Sequence, residues 1–74
     1  MMNKANQRMR ILNYMKQNGG ITGLEATNKL HIMDYRKRIS EMRRNGINID
    51  DEWQRKTDGD GMPVRYKRYF LIED

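Results

Sequence analysis

The apolar residues in the first half of the chain recur at intervals of three and four, which is the period of an amphipathic helix. The first such series predicts a helix over residues 4–17. Asn18 and Gly19 follow it, and glycine readily takes the left-handed conformation of a helix C-cap. The apolar stripe expected to face the core consists of Met1, Ala5, Met9, Leu12 and Met15, with Ile11 beside it.

A second helix is predicted over residues 23–30, because Thr22 and Glu25 have the spacing of a capping box. In such a box the threonine hydroxyl accepts a backbone N–H of the first turn, and the glutamate reaches back to the threonine N–H. Ile21 precedes the cap and can pack on the first turn as a hydrophobic staple. The side chains expected to face inward are those of Leu24 and Leu30.

A third helix is predicted over residues 34–45. It follows a short turn, has Asp34 as its N-cap or first-turn acid, and ends at Asn45 and Gly46. Two helices joined by a short turn, the second of them strongly basic, make a helix-turn-helix pattern. The residues expected on its buried side are Ile32, Tyr35, Ile39 and Met42.

The last part of the chain changes from the helical period to the alternation of strands. Ile47, Ile49 and Trp53 lie on alternate positions and predict a strand over residues 47–56, while β-branched and aromatic residues predict a second one over 64–72. Glycine, aspartate and proline fill the segment between them and favour a turn. The predicted fold is α+β, with three helices followed by a two-stranded β-hairpin. At 74 residues the chain has room for a single domain, residues 1–74.

The charge of the chain is positive and unevenly distributed. The net charge is +5; residues 1–46 hold ten Lys or Arg against three Asp or Glu, and residues 47–74 hold five against seven. A basic first half favours a polyanionic partner such as nucleic acid, although small soluble domains often carry a few excess charges for solubility alone.

The composition also argues against several kinds of site. The chain has no cysteine and a single histidine, His31, so we expect no disulfide, no metal and no cofactor. No set of nucleophile, base and orienting residue is visible, so we expect no enzymatic activity and no small-molecule substrate. No apolar run is long enough to span a bilayer. We therefore expect a cytoplasmic protein without a membrane partner.

Two motifs connect the chain to a known group of proteins. Residues 20–26 read G-I-T-x-x-E-A, and residues 32–46 read I-x-x-Y-R-x-R-I-S-E-M-R-R-x-G. Together with Ile49, Tyr69 and Leu71, these motifs resemble those of small winged helix-turn-helix proteins of phages and prophages. The resemblance implies that the hairpin is a wing, that the partner is double-stranded DNA and that the host is a bacterial cell, where the protein would associate with the nucleoid.

The chain departs from this group at several positions. The group usually has leucine where this chain has Tyr35 and Met42, which a core tolerates. Its wing is usually basic, whereas Asp58 and Asp60 lie at the predicted tip here. A wing tip that grips phosphate is therefore not expected.

The third helix is expected to lie in the major groove and to read bases with the side opposite its apolar residues. Arg and Lys can donate to guanine O6 and N7, a carboxylate can accept from cytosine N4, and an apolar group can contact the thymine methyl. A charged helix face that is merely solvated would show the same pattern. The predicted base-reading residues are Met33, Arg36, Lys37, Ser40 and Glu41.

A second set of residues is expected to contact phosphates, which position the domain without reading sequence. It combines the end of the third helix, the N-terminus of the second helix and the cations of the hairpin. Solvated surface charges and an ordinary helix cap are the alternatives. The predicted phosphate contacts are Thr22, Gly23, Arg43, Arg44, Arg55, Lys56, Arg65 and Lys67. The aromatic residues interpreted as core and sheet packing, rather than as a base-stacking platform, are Trp53, Tyr66, Tyr69 and Phe70.

The sequence is compatible with several hypotheses about the biological role. A transcriptional regulator and a recombination accessory factor use the same contacts, and a homodimer would strengthen the modest interface of one small domain. The alternative function is an inhibitor that binds a host defence nuclease, as anti-CRISPR or anti-restriction proteins do. The acidic residues that favour this alternative are Asp50, Asp51, Glu52, Asp58, Asp60, Glu73 and Asp74.

Overall fold

The computed structural model describes residues 3–72 of the chain. Its elements, in chain order, are α1 (Lys4–Asn18), β1 (Ile21–Thr22), α2 (Gly23–Asn28), α3 (Tyr35–Arg44), β2 (Ile49–Thr57) and β3 (Pro63–Leu71). The strands form one antiparallel sheet in the order β1-β3-β2. The α+β class is confirmed, but the prediction of two strands is wrong, since a third strand completes the sheet.

The additional strand, β1, forms because the segment that caps α2 also lies against β3. Ile21 pairs with Tyr69, and Thr22 pairs with Arg68. Gly20 makes this approach possible, since a Cβ at that position would lie 2.9 Å from the Tyr69 carbonyl oxygen. Ile21, which was predicted as a staple before the cap, is therefore a core residue and a strand residue.

The capping box predicted for α2 is confirmed. Thr22 Oγ1 accepts the Glu25 N–H at 3.2 Å, and Glu25 Oε1 accepts the Thr22 N–H at 2.9 Å. The other oxygen of Glu25 accepts the Tyr14 hydroxyl proton at 2.9 Å. Burial raises the pKa of the Glu25 carboxyl, but the hydrogen bonds donated to the carboxylate outweigh burial and hold the pKa below its ordinary value.

The ends of the helices follow the local sequence with two exceptions. α1 ends at Gly19, whose φ of +76° is the predicted left-handed cap. α2 ends at Asn28, before the predicted residue 30, because the Ile32 N–H closes a turn back onto the helix. Asp34 occupies the N-cap position of α3, but its side chain makes no capping hydrogen bond.

The core lies between the helices and the base of the sheet. Ala5, Met9 and Leu24 were expected in this core and are not part of it: Ala5 is exposed, Met9 is 60% exposed and Leu24 is 63% exposed. α1 is turned so that Ile11 rather than Met9 faces inward. α2 presents Ala26 to the core, and residues two apart on a helix do not share a face, so Leu24 points away. The buried residues are Ile11, Met15, Ile21, Ala26, Leu30, Ile32, Ile39, Met42, Ile49 and Tyr69.

Strands β2 and β3 form a ribbon, the wing, that extends beyond the helices. The two strands pair in register along their whole length. At the base of the ribbon Ile49 and Tyr69 are each 7% exposed, whereas Trp53 further along is 59% exposed. The interpretation of Trp53 as core packing is therefore wrong, because the helices cover only the base of the wing. Met1 of the predicted apolar stripe, and the acidic Glu73 and Asp74, lie outside the described residues.

Candidate nucleic-acid interface

Helix α3 is fixed to the core by one flank, which carries charged residues as well as apolar ones. Ile39 and Met42 are almost fully buried, and Arg38 is only 4% exposed. Arg38 Nε lies 3.0 Å from Glu41 Oε1, an ionic contact outside hydrogen-bond geometry. Arg8 of α1 donates from Nη1 to the same Glu41 oxygen at 2.9 Å. We call Arg8, Arg38 and Glu41 the α1–α3 ion cluster.

The ion cluster changes what two of these side chains can do. The hydrogen bond from Arg8 lowers the pKa of the Glu41 carboxyl, the more so with the nearby Arg38 charge, despite some desolvation. Glu41 is predicted to read a base, but its carboxylate is directed at α1. Arg38 is buried, which is unusual for a charged side chain. The spacing of Arg38 and Glu41, three apart on a helix, is the signal that could have revealed the pair.

The opposite side of α3 is open to solvent. Arg36, Lys37, Ser40 and Arg44 are exposed, and their spacings of three and four place them on one side of the helix. We call these residues the exposed α3 face. Met33, which is 75% exposed, lies in the turn that leads into this helix. The structure thus brings together four of the five predicted base-reading residues and separates Glu41 from them.

Arg43 connects α3 to the wing. Its Nε donates to the Ile49 carbonyl oxygen at 3.0 Å, and its Nη2 donates to Asp51 Oδ2 at 2.9 Å. Its guanidinium also lies over the Tyr69 ring, 5.9 Å from the ring centroid. These contacts hold the C-terminal end of α3 against the base of the wing, and a phosphate at Arg43 would have to compete with them.

The N-terminus of α2 meets α3 at a glycine. A Cβ at Gly23 would overlap the Tyr35 hydroxyl, so the two helices come together only because this position has no side chain. The Thr22 hydroxyl is already used by the capping box. Both predicted phosphate residues at this end of α2 therefore have structural roles.

The wing has two faces of different character. Residues paired directly opposite each other point to the same side of a sheet, so Trp53 shares a face with Lys67, and Arg55 shares a face with Arg65. We call these four residues the basic wing face. Lys56 is paired with Val64 and points to the other side, where its ammonium lies 5.8 Å from the centroid of the Tyr66 ring. Three of the four wing cations predicted to contact phosphate are therefore on one face.

Arg36 of the exposed α3 face and three residues of the basic wing face border the same concavity. An open cleft of about 800 Å³ lies between α2, the start of α3 and the wing. Arg36 lines it from the helix, while Arg65 and Lys67 line it from the wing. We call it the α3–wing cleft. Its lining residues are Gly23, Leu24, Thr27, Tyr35, Arg36, Trp53, Arg65, Tyr66, Lys67 and Tyr69.

Two acidic residues of the second half have partners within the domain. Asp51 is paired with Arg43 and lies 3.8 Å from the Lys67 ammonium. Asp58 Oδ1 accepts the N–H groups of Asp60 and Met62, each at 2.9 Å, and so holds the turn at the wing tip. The Asp58 carboxylate therefore stabilises the turn at the wing tip.

Within residues 3–72, no group of three or more His, Cys, Asp or Glu side chains could hold a metal ion. In the same part of the chain, no helix combines the length and the apolar character that crossing a membrane requires.

The comparisons with known proteins agree with this geometry. A family model described as the winged helix-turn-helix domain matches residues 6–74. Comparisons with curated proteins and with solved structures find no match for this chain. The matched family indicates DNA as the partner. From the extent of this match, together with the helices and the wing described above, the chain belongs to the winged helix-turn-helix domain family.

Proposed function

We propose that this protein binds double-stranded DNA in a sequence-dependent manner, with α3 in the major groove and the basic wing face along the adjacent backbone. The proposal is carried by one observation: Arg36 of the exposed α3 face lines a single cleft with Arg65 and Lys67 of the basic wing face. A duplex that receives the helix in its major groove would meet the wing cations on the same side of the protein. These positive charges would attract duplex DNA of any sequence, and the contacts of α3 with the bases would add the dependence on sequence.

The proposal gives different tasks to the residues of α3. Lys37 and Ser40 lie within the exposed α3 face and are proposed to read base edges, with Arg36 beside them. Met33, in the turn before the helix, is proposed to touch a thymine methyl. Arg44 lies at the end of the helix and is proposed to contact a phosphate.

Several predicted contacts are left out of the proposal for structural reasons. Glu41 is held by the α1–α3 ion cluster. Arg43 is proposed to set the angle between α3 and the wing, because it bonds to the base of β2. Lys56 points away from the basic wing face.

The first test is a titration of fluorescently labelled random duplex DNA, followed by anisotropy over a series of salt concentrations. If the two faces contact five or six phosphates, log K falls against log salt with a slope of about −5, which reflects counterion release. The Lys16→Ala variant is the control, since Lys16 lies beside Leu71 at the base of the sheet and its loss should leave the slope unchanged. No binding at about 50 mM salt, where phosphate contacts are strong, would rule the proposal out.

The second test is a selection of bound sequences from random duplex DNA. An enriched motif supports sequence-dependent binding, and its symmetry reports whether a monomer or a homodimer binds. The position of the motif relative to promoters or recombination sites would separate a regulator from a recombination accessory factor of phage type. For the nuclease-inhibitor alternative, Asp51 and Asp58 are weak candidates, because Asp51 is paired with Arg43 and Asp58 holds a turn.

A further inference from the structure

Trp53 has an environment that packing alone does not explain. It is the single tryptophan of the chain, and 59% of it is exposed. The Arg65 guanidinium and the Lys67 ammonium both lie over its ring, each 4.9 Å from the ring centroid. A large aromatic surface is thus held outside the core, within the positive surroundings of the wing.

The α3–wing cleft combines this indole with further aromatic and positive groups. Tyr35 and Tyr69 also line the cleft, and its cations are Arg36, Arg65 and Lys67. Among the described residues that line the cleft, none is a carboxylate. An aromatic surface surrounded by cations is the arrangement that proteins use to bind the bases and phosphates of single strands. The volume of about 800 Å³ is within the range of sites that bind a small organic ligand. The cleft is therefore large enough for one nucleotide.

We propose that the α3–wing cleft binds an unpaired nucleotide of single-stranded DNA, with its base stacked on Trp53 and its flanking phosphates at Arg65 and Lys67. A stacked base can replace the two exposed cation–π contacts, because the displaced cations regain anionic partners at the phosphates of the bound strand. The displaced cations then become available to the phosphates. Arg36 faces the same cleft from α3 and contributes further positive potential.

This activity goes beyond binding of intact duplex and does not rest on it. A base inside a duplex is stacked and paired, so it is not available to an indole unless it is first extruded. The proposed single-strand binding therefore concerns DNA whose strands have separated or whose bases are unpaired.

The intrinsic fluorescence of Trp53 gives a direct test on the intact protein, because the chain has no other tryptophan. Titration with oligothymidylate should quench most of this emission at saturation, whereas intact duplex of equal length should quench it much less. Quenching by the single strand without any duplex binding would support this inference and overturn the proposed function. Duplex binding with no quenching by the single strand would overturn this inference and leave the proposed function intact. Equal quenching by the two DNAs would overturn the single-strand inference, because Trp53 would then contact ordinary backbone.

Variants test the stacking contact by anisotropy of labelled oligothymidylate. Trp53→Leu should weaken single-strand binding about tenfold, as expected for the loss of one stacked base, and Trp53→Phe should recover part of it. Met62→Ala is the matched control, since Met62 is a similarly exposed apolar residue of the wing outside the cleft lining. Circular dichroism checks that each variant is folded. Equal affinity of Trp53→Leu, Met62→Ala and the natural sequence would overturn the proposal.

Discussion

Arg38 and Arg44 lie on the same helix and are used in opposite ways. Arg38 is 4% exposed, and Glu41 and Gln7 surround its guanidinium, with Arg38 Nη1 donating to Gln7 Oε1 at 3.4 Å. Arg44 is exposed on the other side of the helix. The difference shows that the positive residues of a basic helix divide into those that attach it to the domain and those that face solvent. A count of basic residues alone overestimates the binding surface.

The division follows from the cost of burying charge. A guanidinium enters a protein interior only where a carboxylate and hydrogen-bond acceptors replace water. Glu41 of α3 itself supplies the carboxylate, and Gln7 of α1 supplies an acceptor on the same flank. Changes on the inner flank should therefore act on stability, and changes on the exposed α3 face should act on binding.

The largest expected effect is on stability. Arg38→Ala should lower the free energy of unfolding by about 2 kcal/mol, because Glu41 loses one partner and the buried stem of the arginine leaves a gap. Arg44→Ala should change it by less than about 0.5 kcal/mol, as is usual for exposed positions. Urea denaturation followed by circular dichroism measures both values. Equal destabilisation by the two variants would contradict the division of the helix into two flanks.

The local features of this fold could be predicted from the sequence because each depends on a few neighbouring residues. The capping box needs only Thr22 and Glu25, and the end of α1 needs only Gly19. β1 could not be predicted, because a two-residue strand has no periodic pattern and its partner, Tyr69, is far away in the chain.

The candidate site was predicted less completely, for reasons of three-dimensional placement. The alternation of the strand places Trp53 on the same side as the buried Ile49, but nothing local indicates where the helices stop covering the wing. Similarly, the helical period identifies Lys37 as outward-facing. The ion pairs that hold Arg38 and Glu41 against α1, however, depend on how α1 is rotated.

The next effect separates base reading from phosphate contact within the exposed α3 face. Lys37→Ala should weaken binding to the selected DNA sequence about tenfold while leaving random duplex nearly unaffected, because one base contact is lost. Arg44→Ala should weaken all sequences alike and reduce the salt slope by about 1, as expected for one phosphate contact. Competition titrations with selected and random duplex measure the two quantities. If neither variant changes binding, the exposed α3 face is not the reading surface.

A smaller effect is expected from the two faces of the wing. Arg65→Ala should weaken binding to duplex about threefold to fivefold, since it removes a phosphate contact from the basic wing face. Lys56→Ala removes the same charge from the opposite face of the ribbon and should change affinity much less. Anisotropy at a single low salt concentration compares them. Equal losses would indicate that only the overall charge of the wing matters and not the side on which it lies.

The smallest effect is the dependence of the α1–α3 ion cluster on pH. The folded protein holds the pKa of the Glu41 carboxyl below its ordinary value, through the hydrogen bond from Arg8 first and the charge of Arg38 next. The charged carboxylate therefore stabilises the fold above its unfolded-state pKa, and this contribution disappears as the pH falls through the lowered value. Glu41→Gln should be less stable than the natural sequence at about pH 7, and the gap should narrow by about pH 3. Some sensitivity to acid should persist in the variant, because the pKa of the Glu25 carboxyl is lowered as well. Urea midpoints across this pH range measure the difference in stability between the two proteins, and Ser40→Ala is the control, because it changes no titratable group. A difference that stays constant with pH would show that Glu41 supports α3 by packing rather than by charge.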